Sequence, residues 1–142
     1  MVADLGALAG GPTTPIYTIG YAGRSLAEVR DLLVQRGIWL LVDVRRAPFS
    51  RAWQEFNRPN LQMEFEAMYR PMPALGNRKE AGERWEPSSP EKAERALRQL
   101  AALVKQGVVI ALLCAEIDAQ RCHRREVAAR LSSLTGRPVE HL

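Results

Sequence analysis

Both cysteines of the chain and one of its two histidines fall in a single stretch, LLCAEIDAQRCHRREVAARL, from Leu112 to Leu131. Cys122-His123-Arg124 puts a thiol beside a base, with Arg124 and Arg125 following. If Cys122 lies in the first turn of a helix, the helix dipole and the two cations favour its thiolate. That is the state of a nucleophile or a redox-responsive thiol. Cys114, Glu116, Cys122 and His123 are also all metal-ligand types, but the thiols lack the C-x-x-C spacing of a common zinc site. The third reading is a buried structural cysteine. Helical geometry bears on the choice. At about 100° per residue, an inward face of Val127, Leu131 and Leu134 leaves His123 and Arg124 on its flanks and Cys122 nearly opposite. On that geometry Glu116, His123 and Arg124 are the expected contact residues, ahead of Cys122.

A second constellation follows the run IWLLVDV: Asp43, Arg45, Arg46, Pro48 and Ser50. Asp43 and Glu116 could form a carboxylate pair on neighbouring strands. Such a pair can divide acid and base roles, or supply a nucleophile toward a sugar carbon. It can equally be half of an internal ion-pair network with Arg45 or Arg124 that fixes loops and does no chemistry. Gly20-Tyr21-Ala22-Gly23-Arg24-Ser25 is a glycine turn before a helix. Its N-terminus and Arg24 could hold a phosphate, but neither G-x-x-x-x-G-K nor G-x-G-x-x-G is present. A tight turn capped by Ser25 explains it as well. Trp53, Phe56, Tyr69 and Trp85 alternate with Arg51, Arg58, Arg70, Arg78 and Arg84, a mixture that stacks on bases or pins loops to a core. His141 reads as a last-strand or surface residue.

The elements that must position these groups are legible from hydrophobic period and turn chemistry. Residues 1–15 are small, Gly-rich and Pro-interrupted, as in a loose leader. IYTIGYAG (16–23) starts as a strand and stops at Gly20. Ser25 and Glu28 form a capping box, and Leu26, Val29, Leu32 and Leu33 a helical stripe ending at Gly37. IWLLVDV (38–44) is apolar on both faces, as a covered parallel strand must be. A short helix is expected at 60–68 and a short strand at 69–73, within an otherwise loop-like 68–90. Ser89 caps a helix from Pro90 to Gln106, carrying Ala96, Leu97, Leu100 and Leu103. VVIALLCAE (108–116) is a third strong strand, a helix follows to about Leu134, and VEHL forms an edge strand. This alternation argues for a single α/β domain over 16–142. Its sheet is expected to be mostly parallel, with helices on both faces in Rossmann-like or flavodoxin-like layering. Ligands in such sheets bind beyond the carboxyl ends of the strands, where the groups above would converge.

Length and composition bound the rest. The chain has 142 residues, 46% of them hydrophobic, enough for one core without staples. Two cysteines and no signal-like start argue against a disulfide scaffold, and no run of apolar residues is long enough to span a membrane. A reduced, cytoplasmic setting is expected. Of the 20 basic residues 17 are arginine, and the net charge is +4. Arginine binds carboxylate or phosphate with two prongs, although a GC-rich genome yields the same excess.

YTIGYAGRS, LLVDVRRAPFSR, FN…L, LGN and LLCAEIDAQRCHR stand in the order seen in the bacterial and archaeal family called domain of unknown function 488, which the chain resembles over about 16–142. The resemblance implies a small α/β domain and supplies no reaction. The signature positions it marks here are Gly20, Asp43, Arg45, Pro48, Ser50, Phe56, Gly76, Cys114, Glu116, Cys122, His123 and Arg124. The family often has histidine where Tyr21 stands and a second glycine where Asn77 stands. Residues and resemblance together lead to an enzyme-like pocket beneath the 45–90 loops. It would bind a phosphate-bearing or nucleotide-like anion through Arg45, Arg124 and Arg24. Asp43, Glu116 and His123 would act as acid, base or nucleophile, and Ser50 and Tyr21 would orient. Hydrolysis or transfer at a glycosidic or phosphoester bond is the expected chemistry. The alternatives are a non-catalytic nucleic-acid-binding domain and a redox-responsive thiol protein acting through Cys122. No cofactor is singled out.

Overall fold

β-branched and aromatic side chains make Ile16–Gly20 a strand, β1, with every residue buried. Ser25 then caps helix α1, Leu26–Gln35. Its hydroxyl accepts the Glu28 N–H and the Glu28 carboxylate accepts the Ser25 N–H, the reciprocal capping box expected there. β2 (Leu40–Asp43), α2 (Arg58–Phe65), β3 (Tyr69–Pro71), α3 (Pro90–Lys105), β4 (Ile110–Cys114), α4 (Arg124–Thr135) and β5 (Val139–His141) follow. The computed structural model describes residues 10–79 and 81–142. Of the expected leader, 1–9 lie outside the described residues, while the Gly10 N–H donates to the Gly107 carbonyl at 2.6 Å. Among the described residues no helix is long and apolar enough to cross a membrane.

The five strands form one parallel sheet in the order β3-β2-β4-β1-β5. From β1 to β2 to β3 the chain steps toward one edge, and from β3 to β4 to β5 it steps back toward the other. Right-handed connections therefore put α1 and α2 on one face and α3 and α4 on the opposite face. The core divides accordingly. Val29, Leu33, Leu61 and Phe65 pack on the face that carries Ile19, Leu41 and Leu113. Leu97, Leu100, Val127 and Leu131 pack on the face that carries Val42, Leu112 and Cys114. Each fully buried leucine contributes roughly 1.5–3 kcal/mol of transfer free energy. β4 is central, and its onward connection leaves toward the opposite edge from those of its neighbours β1 and β2. That divergence is where a doubly wound sheet opens a crevice for a site.

Two close approaches of backbone shape the carboxyl edge. A Cβ on Gly20 would stand 2.0 Å from the Glu116 carbonyl oxygen, so the loop after β4 crosses directly over the end of β1. A Cβ on Gly76 would stand 2.4 Å from the backbone of Arg46, so the segment after β3 lies against the one after β2. The 68–90 region has little regular structure, as its composition implies, yet it is tied down. The Asn77 amide donates to the Gly82 and Arg84 carbonyls and accepts the Glu86 N–H, and the Trp85 indole donates to the Gly76 carbonyl.

Gly20→Ala should therefore destabilise the fold by at least about 2 kcal/mol in urea unfolding, because the obstructing atoms are backbone. Gly11→Ala, whose added methyl group meets nothing within 4 Å, should change stability by less than about 0.5 kcal/mol. Equal effects of the two would contradict the packing described.

Candidate functional site

The carboxyl edge carries two polar clusters, separated by the sheet. The first belongs to the α1/α2 side. Asp43, the last residue of β2, is wholly buried and grips Arg45 in a two-pronged pair: Nε donates to Oδ1 at 2.8 Å and Nη2 to Oδ2 at 2.6 Å. Oδ1 also accepts the Arg45 N–H, and Oδ2 accepts the Tyr69 hydroxyl at 2.5 Å. Arg45 donates further to the Tyr21 hydroxyl at 3.0 Å and to the Phe56 carbonyl at 2.8 Å. Its guanidinium carbon lies 5.1 Å from the centre of the Tyr21 ring, which stacks on Phe56. Burial alone would lower the Arg45 pKa, but the hydrogen bonds and charge of Asp43 outweigh it and hold the guanidinium above its ordinary value. Burial, and then Asp43, push the Tyr69 phenol well above its usual value. A buried pair is tolerable only with its remaining valences satisfied, and here they nearly all are.

The second cluster belongs to the α3/α4 side. Cys114 ends β4. Cys122 follows a short 3-10 turn, Ala119–Arg121, in extended conformation (φ −135°, ψ 143°), and α4 starts only at Arg124. The helical wheel drawn from sequence therefore does not govern Cys122. An extended residue ahead of the helix turns the thiol inward, toward Cys114, rather than opposite the core. Cys114 is 9%, Cys122 5% and His123 7% exposed, and both thiols are free. Their sulfurs and the His123 ring nitrogen lie within 4.8 Å of one another. His123 Nε2 is 2.9 Å from the Val44 carbonyl oxygen, which can only accept, so Nε2 carries a proton. Nδ1 is then the ring atom that faces Cys122 Sγ, at 3.8 Å. This is a thiol, a base and an acceptor that orients the base. The neighbouring Cys114 thiol, opposed by burial and reinforced by His123 and the Arg124 N–H, lowers the Cys122 thiol to about 4. Cys114 moves the other way, its proton retained beside that sulfur.

Arg124 frames this cluster. Its guanidinium is wholly buried and donates to Thr18 Oγ1 (3.2 Å), the Glu116 carbonyl (2.5 Å) and the Ile117 carbonyl (3.4 Å). Among the described residues no carboxylate pairs with it. Thr18 in turn bonds His141 Nδ1 at 2.6 Å, which places that histidine in the last strand as expected.

The other residues singled out from sequence have these places. The Glu116 carboxylate accepts the Asp118 N–H, and among the described residues no hydrogen bond joins it to Asp43. Arg24 donates to the Gly20 carbonyl. Ser50 braces its own loop, its N–H on Asn57 and its hydroxyl accepting the Trp53 N–H. Arg24 also lines a shallow surface cleft with Glu28 and Asp31. Another cleft, of about 310 Å³ and lined by Trp85, Glu94, Glu126 and Arg130, is on the α3/α4 flank. Tyr69, Thr18 and the Val44 carbonyl were not foreseen as members of these clusters. A lone hydroxyl inside the apolar run IYTIG was a usable signal for Thr18; a backbone carbonyl has none.

Cys114, Cys122 and His123 offer three ligands of a kind that holds zinc, and an imidazole tied to a carbonyl is a common outer-shell arrangement there. Glu116, the fourth ligand type of the sequence reading, is outside this group. A divalent ion would require both thiols deprotonated, and would share the interior with the Arg124 charge.

The pattern that defines the family described as Domain of unknown function DUF488 matches residues 25–131. That is roughly three quarters of the chain, and the chain belongs to this family. No curated protein and no solved structure matches it.

Removing Asp43 should expose what the first cluster does. Asp43→Ala leaves a buried guanidinium without its anion and should cost about 3–5 kcal/mol. Tyr69→Phe removes a single hydrogen bond and should cost about 1–2 kcal/mol. Urea unfolding of both variants checks this. A loss below about 1 kcal/mol for Asp43→Ala would mean the pair does not support the fold.

Proposed function

We propose that this chain is a thiol-dependent, enzyme-like domain whose reacting atom is Cys122 Sγ. The observation that carries the reading is the line Cys122 Sγ–His123 Nδ1, 3.8 Å, continued from Nε2 to the Val44 carbonyl at 2.9 Å. The carbonyl fixes the tautomer, so the nitrogen facing the thiol is the one able to take its proton. Cys114 and the Arg124 N–H supply donors to the sulfur once it is charged. The buried Arg124 guanidinium adds a cation that no carboxylate among the described residues neutralises. A thiolate placed in this way attacks electrophilic sulfur, carbon or phosphorus.

An anion-binding pocket built on Arg45 and Arg124 has less support. Four of the five Arg45 N–H groups are used by Asp43, Tyr21 and Phe56, and Arg124 serves Thr18 and two loop carbonyls. Asp43 is likewise occupied within its own cluster, which suits a structural ion pair better than acid–base work.

Alkylation of Cys122 against pH tests the reading. The groups acting on its sulfur are Cys114, His123 and Arg124. A lowered thiol pKa means that the reactive thiolate is already formed at acidic pH. The rate should thus stay level from about pH 9 down to about pH 6 and fall only as pH approaches the lowered value. An ordinary cysteine would slow by more than about a hundredfold over that interval. Burial reduces the absolute rate without altering this profile. In His123→Ala the profile should move to higher pH. A wild-type rate that climbs through about pH 8.5, the value for a free thiol, would refute the proposal.

A further inference from the structure

Cys114 has no part in the activation of Cys122 that requires it to be a cysteine; a hydroxyl could donate to the thiolate equally well. Yet its sulfur shares one buried cluster with the reactive sulfur, within 4.8 Å. The segment between them, Ala115–Arg121, contains only a short 3-10 turn, so closing the remaining distance would break no helix or strand. Both thiols lie in one buried hydrophobic cluster with Val44, Val127 and Leu131. The alternative use of two thiols and an imidazole, a divalent metal, must overcome the buried cation already present. A disulfide needs no ion brought into the interior.

We propose that Cys114 is the resolving thiol of Cys122, and that the pair passes between dithiol and disulfide by exchange with low-molecular-weight disulfides. The proposal rests on Cys122 being the reactive thiolate. In the first step the Cys122 sulfur attacks one sulfur of R–S–S–R. The Cys122–S–S–R bond forms, and RS⁻ leaves with the electron pair of the broken bond. In the second, the Cys114 thiol gives its proton to His123 Nδ1 or to the departing thiolate, and its sulfur attacks that of Cys122. The Cys114–Cys122 bond forms and the second RS⁻ leaves. Two protein thiols are oxidised and one small disulfide is reduced to two thiols, and the reverse sequence reduces the protein. The substrate class follows from access. Cys114 is 9% and Cys122 5% exposed, which excludes a folded protein as the partner and leaves a small disulfide.

The test uses the full reduced chain and oxidised glutathione, followed by acid quenching, alkylation and peptide mapping. Trypsin cuts after Arg121, so the reduced protein yields Cys114 and Cys122 on separate peptides and the oxidised protein keeps them joined. The expected result is the joined pair in wild type, its loss in Cys114→Ser, and accumulation there of a glutathione adduct on Cys122. If wild type instead stops at the glutathione adduct, the resolving role of Cys114 is overturned while the reading of Cys122 stands. If neither protein forms an adduct or a joined pair, the reactive thiolate itself is refuted. The wild-type arm decides the matter even if the variant folds poorly, and Cys114→Ala provides a second replacement.

Discussion

The guanidinium of Arg124 is wholly buried at the first residue of α4, and the carboxyl edge is organised around it. Taking such a charge out of water costs several kcal/mol. The cost is offset by oxygens gathered from three places: the Thr18 hydroxyl on β1 and the carbonyls of Glu116 and Ile117 beyond β4. The Glu116 carbonyl is the atom that any side chain at position 20 would displace. One glycine therefore lets the loop cross β1, and one arginine holds it there. The loop must then return to α4 at Arg124, and that return sets Cys122 back over Cys114. The thiol cluster is a geometric consequence of where a buried cation finds its acceptors.

The two faces of the sheet handle charge differently. On the α1/α2 side a buried arginine meets a buried aspartate in two-pronged fashion, and the pair is closed by Tyr21, Tyr69 and the Phe56 carbonyl. Charge is neutralised on the spot, and what remains is rigidity for the segment after β2. On the α3/α4 side the arginine has polar acceptors but no carboxylate among the described residues. Excess positive potential in a low-dielectric region favours a neighbour that can become an anion, and the Arg124 charge acts in that direction on Cys114. The same residue type thus closes an ion pair on one side of the sheet and gathers loop carbonyls on the other.

The layout of elements was legible because each rests on a local signal. The capping box at Ser25 and Glu28, the serine–proline start of α3 and the continuous apolar runs of β2 and β4 mark their own positions. The parallel sheet with helices on both faces follows from their alternation. The division of labour at the site was less legible. Asp43 and Arg45 carry the residue types of catalysis, and only their mutual geometry reveals an internal pair. Cys122 was placed on the wrong side for a specific reason. A helical wheel extended through residues 122 and 123 assumes a helix that begins only at Arg124, so the inward turn of an extended residue lay outside the reach of periodicity. Tyr69 joined the first cluster through the pairing of β3 with β2, a long-range register that no local pattern encodes.

The central claim is that the fold holds a negative charge on Cys122 at neutral pH while Cys114 keeps its proton. The most direct measurement is the ultraviolet absorbance of the thiolate in the native reduced chain at pH 7, compared with Cys114→Ser and Cys122→Ser. The account predicts thiolate absorbance in wild type that persists in Cys114→Ser and disappears in Cys122→Ser. Absence of thiolate in wild type at that pH, or its survival in Cys122→Ser, would contradict it.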